Sequence, residues 1–390
     1  MKAPHIVIIK QKYTAAGGSE RFVERALEAL GEENLRLTLI TRRWTSVANA
    51  EIITCNPFHI GRAWRQWAFG RAACRIAAQW PTAIVQSHER TPCCDIYRAG
   101  DGVHREWLKQ RARVEGALSS IGATLSPFHH FILRSEEKLY RSSRLKAVIC
   151  NSNMVRDEIK HYFGLPDEKL FTIYNGIDHR HFHPGLRSLH RGGIRQRLGI
   201  TETDYTLLFV GSGFLRKGLA TCIAAAAKLP QNTHLIVIGR DKAQSRYQDL
   251  ASNHGLNGRV HFLGEQRDVT PFYGAADALV LPSLYDPFAN VVLEAMACGL
   301  PVVTSLKCGA VDIIQHGLNG FIRDALDVQG IIADLQELVD PAVREAVGHA
   351  ARTTVLPLTP KEMSQRMLSL YTRLLPVAEA RGAALSARAG

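Results

Sequence analysis

Short apolar runs recur along this chain, separated by longer stretches in which apolar and polar residues alternate with helical spacing. The runs predict buried strands at residues 5–9, 35–40, 51–54, 83–87, 147–150 and 170–174 in the first half. In the second half they fall at 206–211, 234–238, 259–263, 278–281 and 301–304. Strands that alternate with amphipathic helices build βαβ units, so each half predicts an α/β domain with a parallel sheet.

Between the halves, Asn175 to Gly185 is polar and turn-rich, and a basic stretch from His190 to Arg197 follows it. The pattern places a domain boundary near residue 175, with an N-terminal domain at 1–175 and a C-terminal domain at 176–358. A helical pattern runs from Pro360 to Leu375 within a segment 359–377, and the small, polar tail 378–390 is expected to fray. A chain of 390 residues with 46% apolar content has material for two such cores. Its formal net charge of +12 calls for an anionic partner: phosphates on a small ligand, an acidic membrane surface or nucleic acid. The cysteines Cys55, Cys74, Cys93, Cys94, Cys150, Cys222, Cys298 and Cys308 form no C-x-x-C pair and mostly sit in apolar runs. That pattern favours buried free thiols over zinc or disulfides, and with them a reducing compartment. The start of the chain does not read as a signal peptide, and no run of about 18 apolar residues occurs, so the expectation is a cytoplasmic protein that at most touches a membrane.

The strongest local signal is the segment from Leu281 to Val303, which reads strand, loop, helix, stop, strand. Asp286 falls in the loop and Glu294 on the helix, near the carboxyl edge of the sheet where α/β proteins bind ligands. Phe288, Ala289 and Asn290 lead into that helix, whose first amides can hold an anion. An ordinary connection, with Asp286 as a turn residue and Glu294 solvated, remains open. A second signal, Phe209 to Leu219, is a strand that ends in Gly211 and is followed by Arg216 and Lys217 at a helix start. There a glycine permits close approach and two cations can neutralise a diphosphate, although adjacent basic residues are commonly just solvated. Third, Gly17-Gly18 follows the first strand and opens a helix with Phe22, Val23, Ala26, Leu27 and Leu30 on its apolar side. It is no G-x-G-x-x-G fingerprint, and alone it could be a tight turn. Fourth, Gln86 to Arg90 and Tyr97 to His104 put His88, Asp101 and His104 after first-half strands. No D-x-D occurs, so no metal-diphosphate clamp is predicted.

The Leu281–Val303 segment resembles the E-x7-E region of retaining glycosyltransferases of family 4, with Asp286 and Glu294 at the two acidic positions. Asp286 stands where the family usually has Glu, one methylene longer. The resemblance implies GT-B architecture: two Rossmann-like domains facing each other across a cleft, with a C-terminal helix returning to the first. It also implies that Asp286 and the backbone of Phe288, Ala289 and Asn290 contact the donor sugar while Glu294 holds the nucleotide ribose. By the same resemblance, Arg216, Lys217 and Gly211 meet the diphosphate, and Gly17 and Gly18 lie beside it. The stretch through Asp101 is similar to that of enzymes building the inner core of bacterial lipopolysaccharide. Asp101 is then an active-site residue that orients the acceptor or the transferring sugar. His88 and His104 are acceptor-side candidates that can equally be core or surface histidines. Tyr174 to Asp178 and Gly239-Arg240 are further family-like features. UDP-glucose is the donor implied, a glycolipid or oligosaccharide the acceptor, with no cofactor and no metal.

Residues 61–80 combine Arg62, Arg65, Arg71 and Arg75 with Trp64 and Trp67 and contain no acid, and residues 104–146 add further cations and aromatics. Such a mixture suits the interface of an anionic membrane, with 104–134 favoured, although Trp64 and Trp67 packing inward would leave only a solvated basic face. A nicotinamide-dependent oxidoreductase is disfavoured because the glycine fingerprint is missing. A nucleotide-sugar epimerase of the same architecture stays open. A nucleic-acid-binding protein would explain the charge, but no recognition motif supports it, and no nucleic-acid partner is expected.

Overall fold

The structure, a computed structural model, describes residues 4–12, 35–44, 50–116 and 126–389, with backbone alone from 376 onward. The chain forms two compact units, Met1–Gly176 with Pro360–Gly390, and Ile177–Thr359.

In the first unit the described strands are β1 (His5–Ile9), β2 (Arg36–Thr41), β3 (Glu51–Thr54), β4 (Ile84–Ser87), β5 (Ile96–Arg98), β6 (Ala147–Cys150) and β7 (Leu170–Thr172). They pair in parallel in the order β3-β2-β1-β4-β5-β6-β7. Alternation along β1 explains why its apolar run is continuous: successive side chains serve opposite faces of a sheet that is covered on both. Val7 and Ile9 join Phe69, Ala73, Val85, Leu139 and Val155 on one face. Ile6 and Ile8 join Leu37, Leu39, Ile149, Met363, Met367, Leu370 and Tyr371 on the other. The last four residues belong to the helix Pro360–Ala389, so the end of the chain completes the core of the first unit. That helix runs past Leu375 into the segment where a frayed tail was expected, a stretch rich in the strong helix former Ala.

The second unit repeats the winding. Its described strands are β8 (Tyr205–Val210), β9 (Thr233–Ile238), β10 (Val260–Phe262), β11 (Ala278–Leu281), β12 (Val302–Ser305) and β13 (Phe321–Arg323). They are parallel in the order β10-β9-β8-β11-β12-β13. In both sheets the strand order reverses once, between β1 and β4 and between β8 and β11. Loops leaving such paired strands diverge and open a crevice at their carboxyl ends.

One expectation about the cysteines fails. Cys74, on the helix Gly61–Ala77, and Cys93, between β4 and β5, form a disulfide with Cα atoms 5.8 Å apart. Only the packing of that helix against the β4–β5 connection brings them together, and their spacing of 19 does not announce it. Cys94, Cys150, Cys222, Cys298 and Cys308 are buried free thiols and Cys55 is a half-buried one, but the argument for a reducing compartment loses its basis. Among the described residues no helix is long and apolar enough to cross a membrane.

Candidate active site

In the second unit, the connections leaving β8 and β11 carry the charged residues singled out in the sequence. After Gly211 the chain makes a single-turn helix, Phe214–Lys217, whose first amide, on Phe214, donates to the Asp241 carboxylate at 2.7 Å. Arg216 and Lys217 therefore close this turn, before Gly218 and the longer helix Leu219–Ala226, and do not open a helix as expected. Gly218 has φ +77°, and a Cβ there would collide with the Pro282 carbonyl, so only glycine lets this turn press against the exit of β11. The Leu284 amide donates to the Arg216 carbonyl at 2.8 Å and fastens the two connections together. On the other side, a Cβ on Gly239 (φ +134°) would strike the Gly211 carbonyl, and the Lys217 stem packs along Gly211.

Both cations converge on one oxygen of Asp286. Lys217 Nζ donates to Oδ2, and Arg216 donates to the same Oδ2 at 3.3 Å and to the Tyr285 carbonyl at 3.1 Å. The backbone of Asp286 is fixed at both ends, by Lys307 O at 2.8 Å and Gly309 N at 2.8 Å. Asp286 is 6% and Lys217 8% exposed. Burial alone would raise the Asp286 pKa, but Lys217 and then Arg216 outweigh it and hold it below the usual carboxylate value. Two cations against one carboxylate leave a surplus positive charge at the crevice of the sheet, an arrangement that can receive a phosphate group.

Glu294 lies on the helix Asn290–Ala297 and is 2% exposed, which removes the reading of a solvated helix position. Its Oε2 accepts from the Tyr273 hydroxyl at 2.8 Å. Ahead of it, Phe288 and Ala289 are buried and Asn290 is half-buried. Tyr273 and Asp241 were missed in the sequence. Tyr273 belongs to a different helix, Thr270–Ala275, and no spacing ties it to Glu294, whereas Asp241 follows the Gly239-Arg240 pair that was noted.

In the first unit, Gly17, Gly18 and the helix expected after them lie outside the described residues. His88 leaves β4 buried, its Nε2 3.1 Å from the Gln86 amide nitrogen, while Gln86 Oε1 accepts from the Tyr371 hydroxyl at 2.8 Å. Burial, then Arg98 and Lys10, hold His88 well below its ordinary pKa, so it is neutral. Asp101 and His104 are brought together by Arg90, which ends the Gln86 to Arg90 stretch noted in the sequence, and by Glu136, which the sequence did not flag. Arg90 Nε donates to Glu136 Oε1 at 3.0 Å and its Nη1 lies 3.5 Å from Asp101 Oδ2. Glu136 also accepts from the His104 amide at 2.9 Å. Asp101 keeps 61% of its side chain exposed, and His104 meets His129 at 2.9 Å. Burial, then Arg90 and His129, lower the His104 pKa to about 3. At the end of the unit the Asn175 side chain accepts from Arg98 at 2.7 Å.

Residues 191–354 match the family model of glycosyl transferases group 1, and residues 16–181 that of glycosyltransferase family 4. An uncharacterized glycosyltransferase of Methanocaldococcus jannaschii is 35% identical over 177 residues, 44% of this chain and 45% of that protein. The lipopolysaccharide glucosyltransferase WaaG of Escherichia coli is 31% identical over 267 residues, 63% of this chain and 68% of that one. The lipopolysaccharide core biosynthesis glycosyltransferase LpsE of Rhizobium meliloti is 24% identical over 351 residues, 87% and 91% of the two chains. A crystal structure of WaaG, a glycosyltransferase involved in lipopolysaccharide biosynthesis, matches with a TM-score of 0.80 at 23% identity, covering 94% of this chain and 99% of that one.

Proposed function

The chain belongs to glycosyltransferase family 4, with the GT-B fold, and we propose that it transfers glucose from UDP-glucose to a glycolipid of the lipopolysaccharide inner core. The observation that carries this reading is the cluster of Arg216, Lys217 and Asp286 where β8 and β11 diverge, with buried Glu294 following on the next helix. The named relatives that act on lipopolysaccharide support the acceptor class, and the glucosyltransferase among them supports the sugar.

In this reading Glu294 accepts from the two ribose hydroxyls, a task suited to a carboxylate fixed by Tyr273. Arg216 and Lys217 hold the diphosphate, and Gly211 admits its backbone-side approach. Asp286 and the amides near Phe288, Ala289 and Asn290 meet the hexose. Asp101 orients the acceptor or the hexose, and neutral His88 and His104 serve as acceptor-side hydrogen-bonding groups. The bond between the anomeric carbon and the diphosphate breaks as the acceptor oxygen attacks the same face, and the departing phosphate takes the acceptor's proton. Configuration is retained, and the charge that develops on the leaving group is met by Arg216 and Lys217 without a metal. Cations and aromatics in residues 104–134 suit contact with the cytoplasmic face of an anionic inner membrane. The epimerase and nucleic-acid readings gain no support from these residues.

Calorimetric titration without added metal, against UDP-glucose and the matching GDP- and ADP-sugars, tests the donor site. The expected result is selective binding of UDP-glucose that weakens about tenfold or more in Glu294→Ala, as loss of hydrogen bonds to a charged group predicts. Equal binding by folded Glu294→Ala would remove Glu294 from the donor site, and preference for another base would overturn UDP.

A further inference from the structure

The first unit holds a cavity of about 580 Å³, and none of its lining residues is assigned above to the donor. It sits between the helices Gly61–Ala77 and Pro127–Tyr140 and falls in the size range of small-molecule sites. Gln66, Trp67, Gly70 and Cys74 line it from the first helix, Phe131 and Ser135 from the second, and Glu89 and Arg90 also border it. Arg71, Arg75 and Lys138 are exposed lining residues, and among the described residues no acid lies within ion-pair distance of these three.

Ile60, Trp64, Trp67, Arg71 and Arg75 recur at spacings of three and four, so they form one stripe along the first helix. At the start of that stripe Phe58, Ile60, Trp64 and Trp67 are 76%, 67%, 43% and 50% exposed, so the tryptophans do not pack inward. Phe58 and Trp64 meet edge to face at 5.8 Å, and Arg71 lies over the Trp67 ring at 5.7 Å. Between Glu51 and Glu89 the sequence contains no acidic residue. An exposed apolar row that continues into a cavity bordered by the exposed cations Arg71, Arg75 and Lys138 matches an amphiphile with an apolar tail and an anionic head.

We propose that this cavity is a lipid site at the surface of an anionic bilayer. An acyl chain of a membrane phospholipid enters between the two helices past Trp67, and its phosphate meets Arg71, Arg75 and Lys138. The site requires nothing of the donor chemistry and stands or falls separately from it.

The test is calorimetric titration of the full chain with monomeric lysophosphatidylglycerol, with glycerol 1-phosphate as the head group alone. The expected result is saturable binding of one lysolipid that glycerol 1-phosphate does not displace. The affinity falls about tenfold or more in the surface double variant Arg71→Glu/Arg75→Glu, in line with the energy of cations near an anionic head group. Ser135→Trp, which fills the cavity, has the same effect, with circular dichroism confirming the fold of both variants. Binding unchanged in the double variant, unchanged in folded Ser135→Trp, or displaced by glycerol 1-phosphate would overturn the proposal, the last in favour of a free-phosphate site. Sedimentation with vesicles of phosphatidylglycerol and phosphatidylcholine in equal parts adds a second arm. Expected is binding to these and not to phosphatidylcholine alone, and equal binding to both would also overturn it.

Discussion

Asp286 carries two demands that conflict in most settings: it is almost fully buried and it is ionised. Only the pair of cations reconciles them, and the three residues therefore depend on one another unequally. Lys217→Met removes one cation but leaves Arg216 to balance Asp286, so the protein should stay folded while transfer slows. Loss of a charge that meets the leaving group predicts a fall in kcat of roughly a hundredfold or more, read at saturating donor with circular dichroism as the control. A rate within twofold of the parent would show that Lys217 balances Asp286 and does nothing for the diphosphate. The spacing of Asp286 and Glu294 was legible because both lie on one strand-loop-helix segment. Their partners were not, since Tyr273 reaches Glu294 and Glu136 reaches Arg90 only through packing of separate helices.

At the scale of elements, the clearest strands in the sequence were those whose apolar runs serve two covered faces, such as His5–Ile9 and Tyr205–Val210. The two that escaped, Ile96–Arg98 and Phe321–Arg323, each offer only two apolar residues before an arginine, so no apolar run marks them. The disulfide escaped for a related reason: it records contact between two elements and no property of either. The basic stretch His190 to Arg197 stood out only as charge beside the domain boundary, yet Arg195 is 1% exposed and donates to Asp277 Oδ2 at 2.6 Å and to the Thr201 carbonyl at 2.7 Å. The return of the last helix depends on apolar spacing plus one buried polar link, Tyr371 to Gln86. Tyr371→Phe keeps the ring but leaves Gln86 Oε1 without that donor, so it should cost about 1–3 kcal/mol in denaturant unfolding. Met367→Ala, which opens a cavity in the same face, should cost about 2–5 kcal/mol. If both cost less than about 0.5 kcal/mol, the helix adds little to the first unit.

For the whole molecule, pH is the variable on which several buried groups act together. His88 is held well below its ordinary pKa, His104 at about 3 and His261 at about 4, in each case first by burial. All three are neutral in the folded chain, whereas in the unfolded chain they take up protons as pH falls through about 6.5. The unfolded state then binds more protons, so stability falls as pH drops from about 6.5 towards 4, by at most about 1.4 kcal/mol per pH unit for each histidine. Asp286 is shifted in the same direction, but there it is the ionised form that the fold favours, so its contribution is complete above the ordinary carboxylate value of about 3.9. That contribution is lost only below this value, as pH falls through the lowered pKa. The loss between pH 6.5 and 4 therefore belongs mainly to the histidines, and acid unfolding steepens below that range. Guanidinium midpoints measured across this range should decline, and His104→Gln, which keeps a hydrogen-bonding side chain but cannot take up the proton, should make the decline shallower. A slope identical to that of the parent would mean that His104 titrates in the fold as it does in the open chain, and that its pairing with His129 does not keep it neutral.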